Sequence, residues 1–281
     1  MEIFKTKSAL KAFLKPLKAS GKKIALVPTM GALHNGHISL IDLAKENADI
    51  IICSIFVNPT QFTDPKDLEK YPRPIEHDLA MLEEAGCTGV FMPNVAEMYP
   101  QGADENWHID LGNAEFLLEG AFRKGHYQGV TQIVKKLFDA VEPDVAMFGQ
   151  KDFQQVLMIK NMLAYFDLPI TIITCPIIRE DDGLAMSSRN IHLSTTDREN
   201  SLVLSKSLQF VIDHFDNYTL ETLEEKATAF YKGIYGVELD YFTIANGKTL
   251  SAAKSKDENN LVALVAAKVG STRLIDNMII K

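Results

Sequence analysis

The sequence predicts a doubly wound α/β fold followed by a smaller α+β domain, and three observations support this prediction. Short apolar runs alternate with amphipathic stretches from about residue 22 to residue 177. The run at 49–57 is apolar almost throughout, which is typical of a parallel strand covered by helices on both faces. After residue 176 two helical stretches come together and three strand-like runs follow, as expected of an α+β domain.

The elements of the predicted first domain, residues 1–176, each have their own pattern. Strands are expected where short apolar runs end at turn residues, and helices where apolar residues recur every three or four positions. The predicted strands are 22–28, 49–57, 89–93, 144–149 and 170–177. The predicted helices are 37–47, 75–85, 127–141 and 152–166. This alternation, with right-handed crossovers, gives a Rossmann-like parallel sheet.

The predicted second domain covers residues 177–281. Helical periodicity covers about 195–216 and 219–233, and strand-like runs follow at 239–247, 261–270 and 271–280. Because the helices precede clustered strands, this part of the chain is expected to form its own small α+β layer.

Composition excludes several classes of protein. The chain has 281 residues, 46% of them hydrophobic, and a net charge of -8, so a general nucleic-acid binder with a basic face is not expected. No apolar run approaches the roughly 20 residues that span a bilayer, and the N-terminal residues lack the apolar core of a secretory signal. The three cysteines, Cys53, Cys87 and Cys175, are expected to be buried thiols of a cytoplasmic protein.

Polar side chains follow four of the predicted strands, at the edge where open α/β sheets bind ligands. In chain order they are Thr29, His34, His37, Asn58, Gln61, Gln150, Lys151, Asp152, Gln155, Arg179, Ser187, Ser188 and Arg189. If the predicted sheet is correct, these groups converge on one rim.

The segment VPTMGALHNGHISL, residues 27–40, places two histidines at a predicted helix start. Gly36 permits a tight turn, and a helix N-terminus offers N–H groups and a partial positive charge, which together favour a phosphate. His34 and His37 add donors and exchange a proton near neutral pH. The structural alternative is that both cap the helix or fill the core. A zinc site is less favoured, because no third ligand has a suitable spacing.

Two later segments offer further groups for an anion. MSSRN, residues 186–190, contains two serines and Arg189, whose guanidinium binds phosphate bidentately. FGQKDFQQ, residues 148–155, contains Lys151 and also Asp152, a good helix N-cap. Amides such as Gln61 and Gln155 both donate and accept, which suits a hydroxy acid. Singly, each is better explained as a surface turn, a helix cap or a surface glutamine without a role, so the hypothesis depends on their convergence.

Together, the segments PTMGALHNGH, SIFVNPTQF, FGQKDFQQ and DGLAMSSRN resemble the pantoate–β-alanine ligase family. YPR, LEGAFRKGHYQGV and the terminal RLIDN are similar to that family too, so the resemblance extends over nearly the whole chain. The first and last of the four segments also resemble the HIGH and KMSKS elements of the wider nucleotidyltransferase group.

The resemblance implies a two-step reaction. Pantoate would attack the α-phosphorus of ATP to give pantoyl adenylate and pyrophosphate, and β-alanine would then displace AMP to give pantothenate. It further implies Mg²⁺ as the ion that accompanies ATP, no tightly bound organic cofactor, and a homodimer formed through the N-terminal domain. The second domain would act as a lid that keeps water from the adenylate. No nucleic-acid or membrane partner is expected.

The resemblance also assigns residues to these roles. His37 would be the proton donor, with His34, Lys151 and Arg189 as the other catalytic residues. ATP contacts are expected from Met30, Gly31, His34, Gly36, His37, Gly149, Gln150, Lys151, Asp152, Ile178, Met186, Ser187, Ser188 and Arg189. Pantoate and β-alanine are expected at Met30, Asn58, Gln61 and Gln155, and Asp78 is the candidate magnesium ligand.

Three positions depart from the commonest family pattern, and other functions stay open. Asn35 stands where aspartate is frequent, Gln150 where glutamate is frequent, and His77 where an acidic residue is frequent. The alternatives are a nucleotidyltransferase that keeps the nucleotide on its product and a non-catalytic nucleotide-binding protein. A class I aminoacyl-tRNA synthetase is disfavoured by the short, acidic chain.

Overall fold

The computed structural model describes residues 1–62, 65–102 and 106–281. The chain divides into two compact units. The first comprises 1–149 and 155–176, and the second comprises 150–154 and 177–281. The predicted fold class is confirmed, because a parallel sheet with helices occupies the first unit and an antiparallel sheet with helices occupies the second. The functional roles expected for these parts, nucleotide binding and a lid, stay predictions.

The first unit is built on six parallel strands among the described residues. They are β1 (Glu2–Phe4), β2 (Ile24–Thr29), β3 (Ile50–Ile55), β4 (Gly89–Phe91), β5 (Val145–Gly149) and β6 (Thr171–Cys175). Their order across the sheet is β1-β4-β3-β2-β5-β6. The chain proceeds from β2 to β3 on one side, and later to β5 on the other side. The topological switch point, where such sheets bind ligands, therefore lies at the carboxyl ends of β2 and β5.

Helices of the first unit surround this sheet. They are α1 (Lys7–Ala19), α2 (Asn35–Asn47), α3 (Pro65–Lys70), α4 (Ile75–Glu84), α5 (Val95–Met98), α6 (Glu119–Phe122), α7 (His126–Val141) and α8 (Phe153–Tyr165). Short 3₁₀ turns of this unit occur at Pro59–Gln61 and Asn113–Phe116, and another, at Gln150–Asp152, belongs to the second unit. None of the helices in the described residues has the length and apolar character needed to cross a membrane.

The central strands form the core of the first unit. Every residue of β3 is buried, and so are Ile24 to Val27 of β2. At about 25 cal/mol per Å² of apolar surface, such continuous burial supplies much of the driving force for folding. This explains why the apolar run at 49–57 predicted its strand so directly.

The N-terminal strand and helix were not predicted. β1 pairs in parallel with β4, and α1 buries Leu10 and Leu14 completely or nearly so. Thr6 caps α1 by accepting a hydrogen bond from Ala9 N–H. Pro16 lies inside this helix, so a residue that usually breaks helices weakens the sequence signal.

The second unit contains α9 (Thr195–His214), α10 (Leu220–Ala229), β7 (Val237–Asn246), β8 (Leu261–Val269) and β9 (Thr272–Ile279). The strands form an antiparallel sheet in the order β7-β8-β9. Its core joins the apolar faces of both helices to the sheet, with Leu204, Leu208 and Val265 among the most deeply buried residues. The predicted helices and strands of this region are thereby confirmed, with α10 ending four residues before its predicted end at 233.

Candidate active site

The two histidines lie at the N-terminus of α2, directly beyond the carboxyl end of β2. His34 is the N-cap, and its Nδ1 accepts a hydrogen bond from Gly36 N–H at 3.1 Å. His37 Nδ1 accepts from His34 N–H at 3.3 Å, and the two ring centroids are 4.1 Å apart. A ring nitrogen that accepts a hydrogen bond carries no proton, so in each neutral imidazole the proton is on Nε2. The Nδ1 edges of both rings therefore cap the helix, and the protons lie on the opposite edges.

The loop before these histidines has an unusual backbone. Gly31 and Ala32 follow one another with φ of 82° and 52°, and the left-handed region is costly for alanine. The buried carboxylate of Asp78, on α4, accepts hydrogen bonds from Ala32 N–H at 2.8 Å and Leu33 N–H at 2.7 Å. Two bonds to a charged acceptor, worth roughly 1.5–3 kcal/mol each, exceed the strain of one residue. Asp78 therefore fixes the path by which the chain reaches His34.

A glycine is required at position 31 for a second reason. A Cβ built there would lie 2.9 Å from Asp78 Oδ2 and 3.1 Å from the Ile55 side chain. Gly31 N–H also donates to Thr29 Oγ1 at 3.1 Å, and that hydroxyl donates to Ser54 O at 2.7 Å. The loop is thus closely packed between β3 and α4.

The amide side chains of Asn58 and Gln61, which follow β3, meet near Met30, which follows β2. Gln61 is 8% exposed, and its Nε2 lies 2.9 Å from the sulfur of Met30. Asn58 is 1% exposed; its Nδ2 donates to Gly129 O at 3.1 Å and to Gln61 Oε1 at 3.3 Å. Tyr99 donates its hydroxyl hydrogen to Asn58 Oδ1 at 2.7 Å, and burial raises the pKa of this tyrosine. Asn58 consequently orients Gln61.

Helix α7 supports the backbone of the same loop. His126 Nδ1 lies 2.8 Å from Gln61 O, and because a carbonyl only accepts, the histidine donates this bond. Gly129 lets the helix approach the loop very closely. A Cβ at Gly129 would lie 2.7 Å from Thr60 C and 2.9 Å from Gln61 Cα. The position of Gln61 is therefore set by the hydrogen bond from His126 and by the absence of a side chain at Gly129, which lets α7 pack against the loop.

The second unit presents two further groups of predicted residues. Gln150–Asp152 form a single helical turn, in which Lys151 Nζ is 4.0 Å from Asp152 Oδ1. Met186 N–H donates to Ile178 O at 3.0 Å, and Ser187 Oγ accepts from Arg189 N–H at 3.3 Å. This places Ile178 beside the MSSRN segment, whose Ser188–His192 portion is a short 3₁₀ helix capped by Ser187.

A buried ion pair holds the chain just before that segment. Arg179 donates to Asp276 through Nη1 at 2.7 Å and Nη2 at 3.0 Å, and Nη1 also reaches Gly183 O at 3.1 Å. The Asp276 side chain is 3% exposed; burial raises the pKa of this carboxyl, and Arg179 opposes that shift. This bidentate geometry fixes the hairpin in which residues 179 and 185 face one another.

The chain matches one protein family over almost its whole length. A family model described as pantoate-beta-alanine ligase matches residues 2–279. The chain belongs to the pantoate–β-alanine ligase family. It is 46% identical over 279 residues to a pantothenate synthetase of Porphyromonas gingivalis, with 99% of both chains covered. It is 44% identical over 283 residues to one of Bacteroides thetaiotaomicron, covering 99% of this chain and 98% of the relative.

Solved structures of the family have the same fold. Pantothenate synthetase from Thermus thermophilus is 34% identical, with a TM-score of 0.94 and coverage of 100% of this chain and 99% of that chain. Pantoate-beta-alanine ligase from Francisella tularensis is 35% identical, with a TM-score of 0.80 and coverage of 99% and 97%. Its crystal structure is complexed with beta-gamma ATP and beta-alanine. The resemblance and the reaction class, that of a ligase, are confirmed.

Some of the residues predicted for the ligase site lie together in the structure. His34 and His37 are in contact, Met30 touches Gln61, and Asn58 touches Gln61. The Gly36 N–H donates a hydrogen bond to the His34 ring. Gly149 ends β5, and Gln155 lies in the first turn of α8, partly exposed. The individual ligand contacts assigned to all these residues stay predictions.

Sequence reasoning missed several residues that shape the ligase site. Tyr99 gave no signal, because nothing in its local pattern indicates a bond to Asn58. His126 and Gly129 lie in LEGAFRKGHYQGV, a segment similar to the family, and that similarity was the available signal. Arg179 was among the polar groups expected at the edge of the sheet, but its bond to Asp276 was not predicted. All four act on loop backbones or on other side chains.

The cysteines do not supply a nucleophile. Burial raises the pKa of Cys87 and of Cys175 to about 11, and it raises that of Cys53 well above its ordinary value. Such thiols stay protonated near neutral pH, and the thiolate is the reactive form. All three are unbridged and buried, as expected from their apolar neighbours.

Substitution of Asp78 distinguishes two roles for its carboxylate: support of the backbone at Ala32 and Leu33, and coordination of magnesium. Replacing it by asparagine keeps the volume but turns an NH₂ group towards a backbone N–H, so one bond of the Ala32–Leu33 pair is lost. We expect Asp78→Asn to lower the free energy of unfolding by ~1–3 kcal/mol. We also expect a lower kcat and an unchanged Mg²⁺ concentration at half activation, measured by titration. A large increase in that concentration would instead assign Asp78 to the metal.

Gly129 provides a test of the support beneath Gln61. Alanine normally gains about 1 kcal/mol over glycine inside a helix, but overpacking costs typically 1–3 kcal/mol. Because the new Cβ meets backbone atoms of Thr60 and Gln61 that cannot rotate away, we expect Gly129→Ala to lower the melting temperature and raise KM for pantoate. The control for stability is Gly149→Ala, where a Cβ meets nothing within 4 Å. An unchanged melting temperature for Gly129→Ala would show that the loop yields easily.

Proposed function

We propose that the chain condenses pantoate with β-alanine in two steps driven by ATP. A pantoate carboxylate oxygen attacks the α-phosphorus, the bond to the β-phosphate oxygen breaks, and pyrophosphate leaves. The β-alanine nitrogen then attacks the acyl carbon, the bond to AMP breaks, and the amine loses a proton as pantothenate forms. The observation that carries the proposal is the histidine pair with fixed tautomers at the switch point of a family-typical sheet.

His34 and His37 are suited to the first step. Both Nε2–H groups are donors, and the N-terminus of α2 adds a partial positive charge. The α-phosphorus becomes five-coordinate, and negative charge grows on its oxygens. Donors already aimed at growing charge need no reorganisation, and removing one donor of this kind typically costs ~10²–10³ in rate. We assign His37 as the proton donor to the departing pyrophosphate.

Gln61 is suited to holding pantoate. Its carboxamide is fixed by Met30 and Asn58 and by His126 on its backbone, so little side-chain freedom is lost on binding. A carboxamide both donates and accepts, which matches the hydroxyl and carboxylate groups of a hydroxy acid. Positioning of this kind contributes to rate by holding the carboxylate close to the α-phosphorus. Gln155 is the second proposed contact, and Gln61 also serves β-alanine.

Cationic and polar groups of the second unit complete the proposed ATP contacts. Lys151 offers a point charge and Arg189 a planar fork of donors. Ile178 and the Met186–Ser188 backbone lie together, as the bond between residues 186 and 178 supports. Because the reaction demands little covalent chemistry of the protein, electrostatic stabilisation and positioning account for most of the acceleration.

The described residues give no support to a magnesium ion held by protein side chains alone. Both oxygens of Asp78 already accept backbone hydrogen bonds. No group of three or more His, Cys, Asp or Glu side chains in the described ranges could hold a metal ion. Mg²⁺ keeps several waters and commonly binds substrate phosphates. We therefore propose that magnesium arrives with ATP, and no step of the reaction is assigned to a protein-held ion.

A reducing cytoplasm is the proposed location. Its support is the set of three buried, unbridged thiols, which an oxidising compartment would not favour.

The first experiment measures pyrophosphate release with ATP, Mg²⁺ and pantoate, without and then with β-alanine. The ligase predicts pantoate-dependent release that becomes catalytic when β-alanine is added, with AMP and pantothenate as products. Retention of the nucleotide on the product would instead indicate a nucleotidyltransferase. ATP binding without release of pyrophosphate would indicate a non-catalytic nucleotide-binding protein.

His37 is the residue whose loss should be most damaging to that assay. We expect His37→Ala to reduce pantoate-dependent pyrophosphate release on the order of 10²–10³-fold. The helix-cap contribution is only about 1 kcal/mol, so folding should persist. Asn35→Ala, an exposed neighbour in the same turn, is the control. Normal turnover of His37→Ala would remove this residue from the mechanism.

We also propose that the protein is a homodimer whose interface is formed by the first unit. Its support is the segment 113–122, where Phe116 and Phe122 are 65% and 53% exposed. Light scattering should give twice the 31.3 kDa chain mass. Phe116→Glu with Phe122→Glu should give monomers, whereas Tyr235→Glu, at a residue 93% exposed in the second unit, should not. A dimer unaffected by the double change would place the interface elsewhere.

A further inference from the structure

The terminal RLIDN segment contains a buried asparagine that the reaction does not explain. Asn277 lies on β9, is 1% exposed, and uses all of its side-chain donors. Nδ2 donates to Gln150 O at 3.0 Å and to Lys151 O at 3.0 Å. Oδ1 accepts from Gln150 Nε2 at 3.1 Å, so Asn277 bonds to both the backbone carbonyl and the side chain of Gln150.

We propose that Asn277 is a positioning residue for Lys151. Its carboxamide grips two consecutive carbonyl groups of the turn from which the Lys151 side chain projects. A 3₁₀ turn of three residues has little internal hydrogen bonding to define its direction. The clamp from β9 supplies that definition, and it explains why residues 150–154 belong to the second unit. The inference depends on the proposed contact of Lys151 with ATP.

Asp276, the residue before Asn277, anchors the contact between Asn277 and the Gln150–Lys151 turn. Asp276 pairs with Arg179, and successive residues of a strand point to opposite faces. Asp276 also accepts a hydrogen bond from Asn277 N–H at 2.8 Å. The strand position of Asn277 is therefore held by the ion pair of its neighbour, while its own side chain holds the Gln150–Lys151 turn.

The chemistry of the contact is specific for asparagine. Aspartate at position 277 has no donor for the two carbonyl groups, and alanine has neither donor nor acceptor. Glutamine is one methylene longer and does not fit the same two bonds. The residue at position 150 matters as well, since glutamine donates to Asn277 Oδ1, whereas an ionised glutamate does not donate.

The test is a double-mutant cycle on the full chain with Lys151→Ala and Asn277→Ala. The readouts are kcat and KM for ATP, pantoate and β-alanine. We expect Asn277→Ala to lower kcat/KM for ATP by about tenfold to a hundredfold, the effect of a small misplacement, with KM for pantoate changed little. Because Asn277 acts through Lys151, the double variant should be no worse than Lys151→Ala alone. Asn277→Asp should resemble Asn277→Ala, and it replaces that variant in the cycle if Asn277→Ala does not fold.

Ser207→Ala is the matched control. Ser207 is fully buried in the same unit and bonds to Leu204 O at 2.9 Å and to the Tyr231 hydroxyl at 2.8 Å. It should lower the melting temperature without changing the ATP kinetics. Hydrogen exchange measured by mass spectrometry should be faster for the peptide that covers 148–153 in Asn277→Ala, but not in Ser207→Ala.

Three results would overturn the inference. Effects of Lys151→Ala and Asn277→Ala that multiply would show that Asn277 does not act through Lys151. Equal kinetic losses in Ser207→Ala would reduce Asn277 to a stabilising residue. Normal ATP kinetics for Lys151→Ala would remove the proposed role of Lys151 itself, and the pyrophosphate assay would still report whether the ligase reaction occurs.

Discussion

Buried polar side chains that bind the backbone of loops are the constraint on which this site depends. Loops at the ends of parallel strands leave strand pairing while still inside the protein, so their N–H and C=O groups need other hydrogen-bond partners. Asp78 provides them for residues 32 and 33 and His126 for residue 61, while Asn58, itself in a loop, bonds to the carbonyl of residue 129 in α7. Each of these side chains belongs to a residue at most 6% exposed, so leaving its bonds unmade would be costly. These bonds set the path of the loops that carry the side chains proposed for catalysis.

At the histidine turn, the structural role of the rings is compatible with the chemical role proposed for them. A helix cap and a catalytic donor are usually treated as competing explanations of one residue. Here the Nδ1 edges of His34 and His37 accept backbone hydrogens, and this fixes the proton on Nε2. A histidine bound in this way is pre-organised, because neither the ring rotation nor the tautomer has to be selected when ATP binds. The cap is therefore part of what makes the rings useful as donors.

The sequence predicted the periodic elements well and the supports of the site poorly. The alternation of apolar runs was sufficient for β2 to β6 and for the three strands of the second unit, since burial on one or both faces repeats along the chain. α1 escaped prediction because Pro16 interrupts its pattern. The backbone contacts of Asp78 and Asn277 escaped because they join residues at least 45 and 126 positions apart, which no local pattern encodes. Gln61, by contrast, was found because it closely follows a strand.

The segment 150–154 shows that chain order and spatial organisation differ where the chemistry is proposed to occur. β5 ends at Gly149 in the first unit, and the next residue is bound by an asparagine 127 positions later. Closing so long a loop costs entropy, although the cost grows only slowly with loop length. The geometry of the turn that carries Lys151 therefore depends on a residue of the last strand, β9. The proposed contact of Lys151 with ATP then requires the second unit to be folded, because the turn that presents this lysine is held by the last strand of that unit.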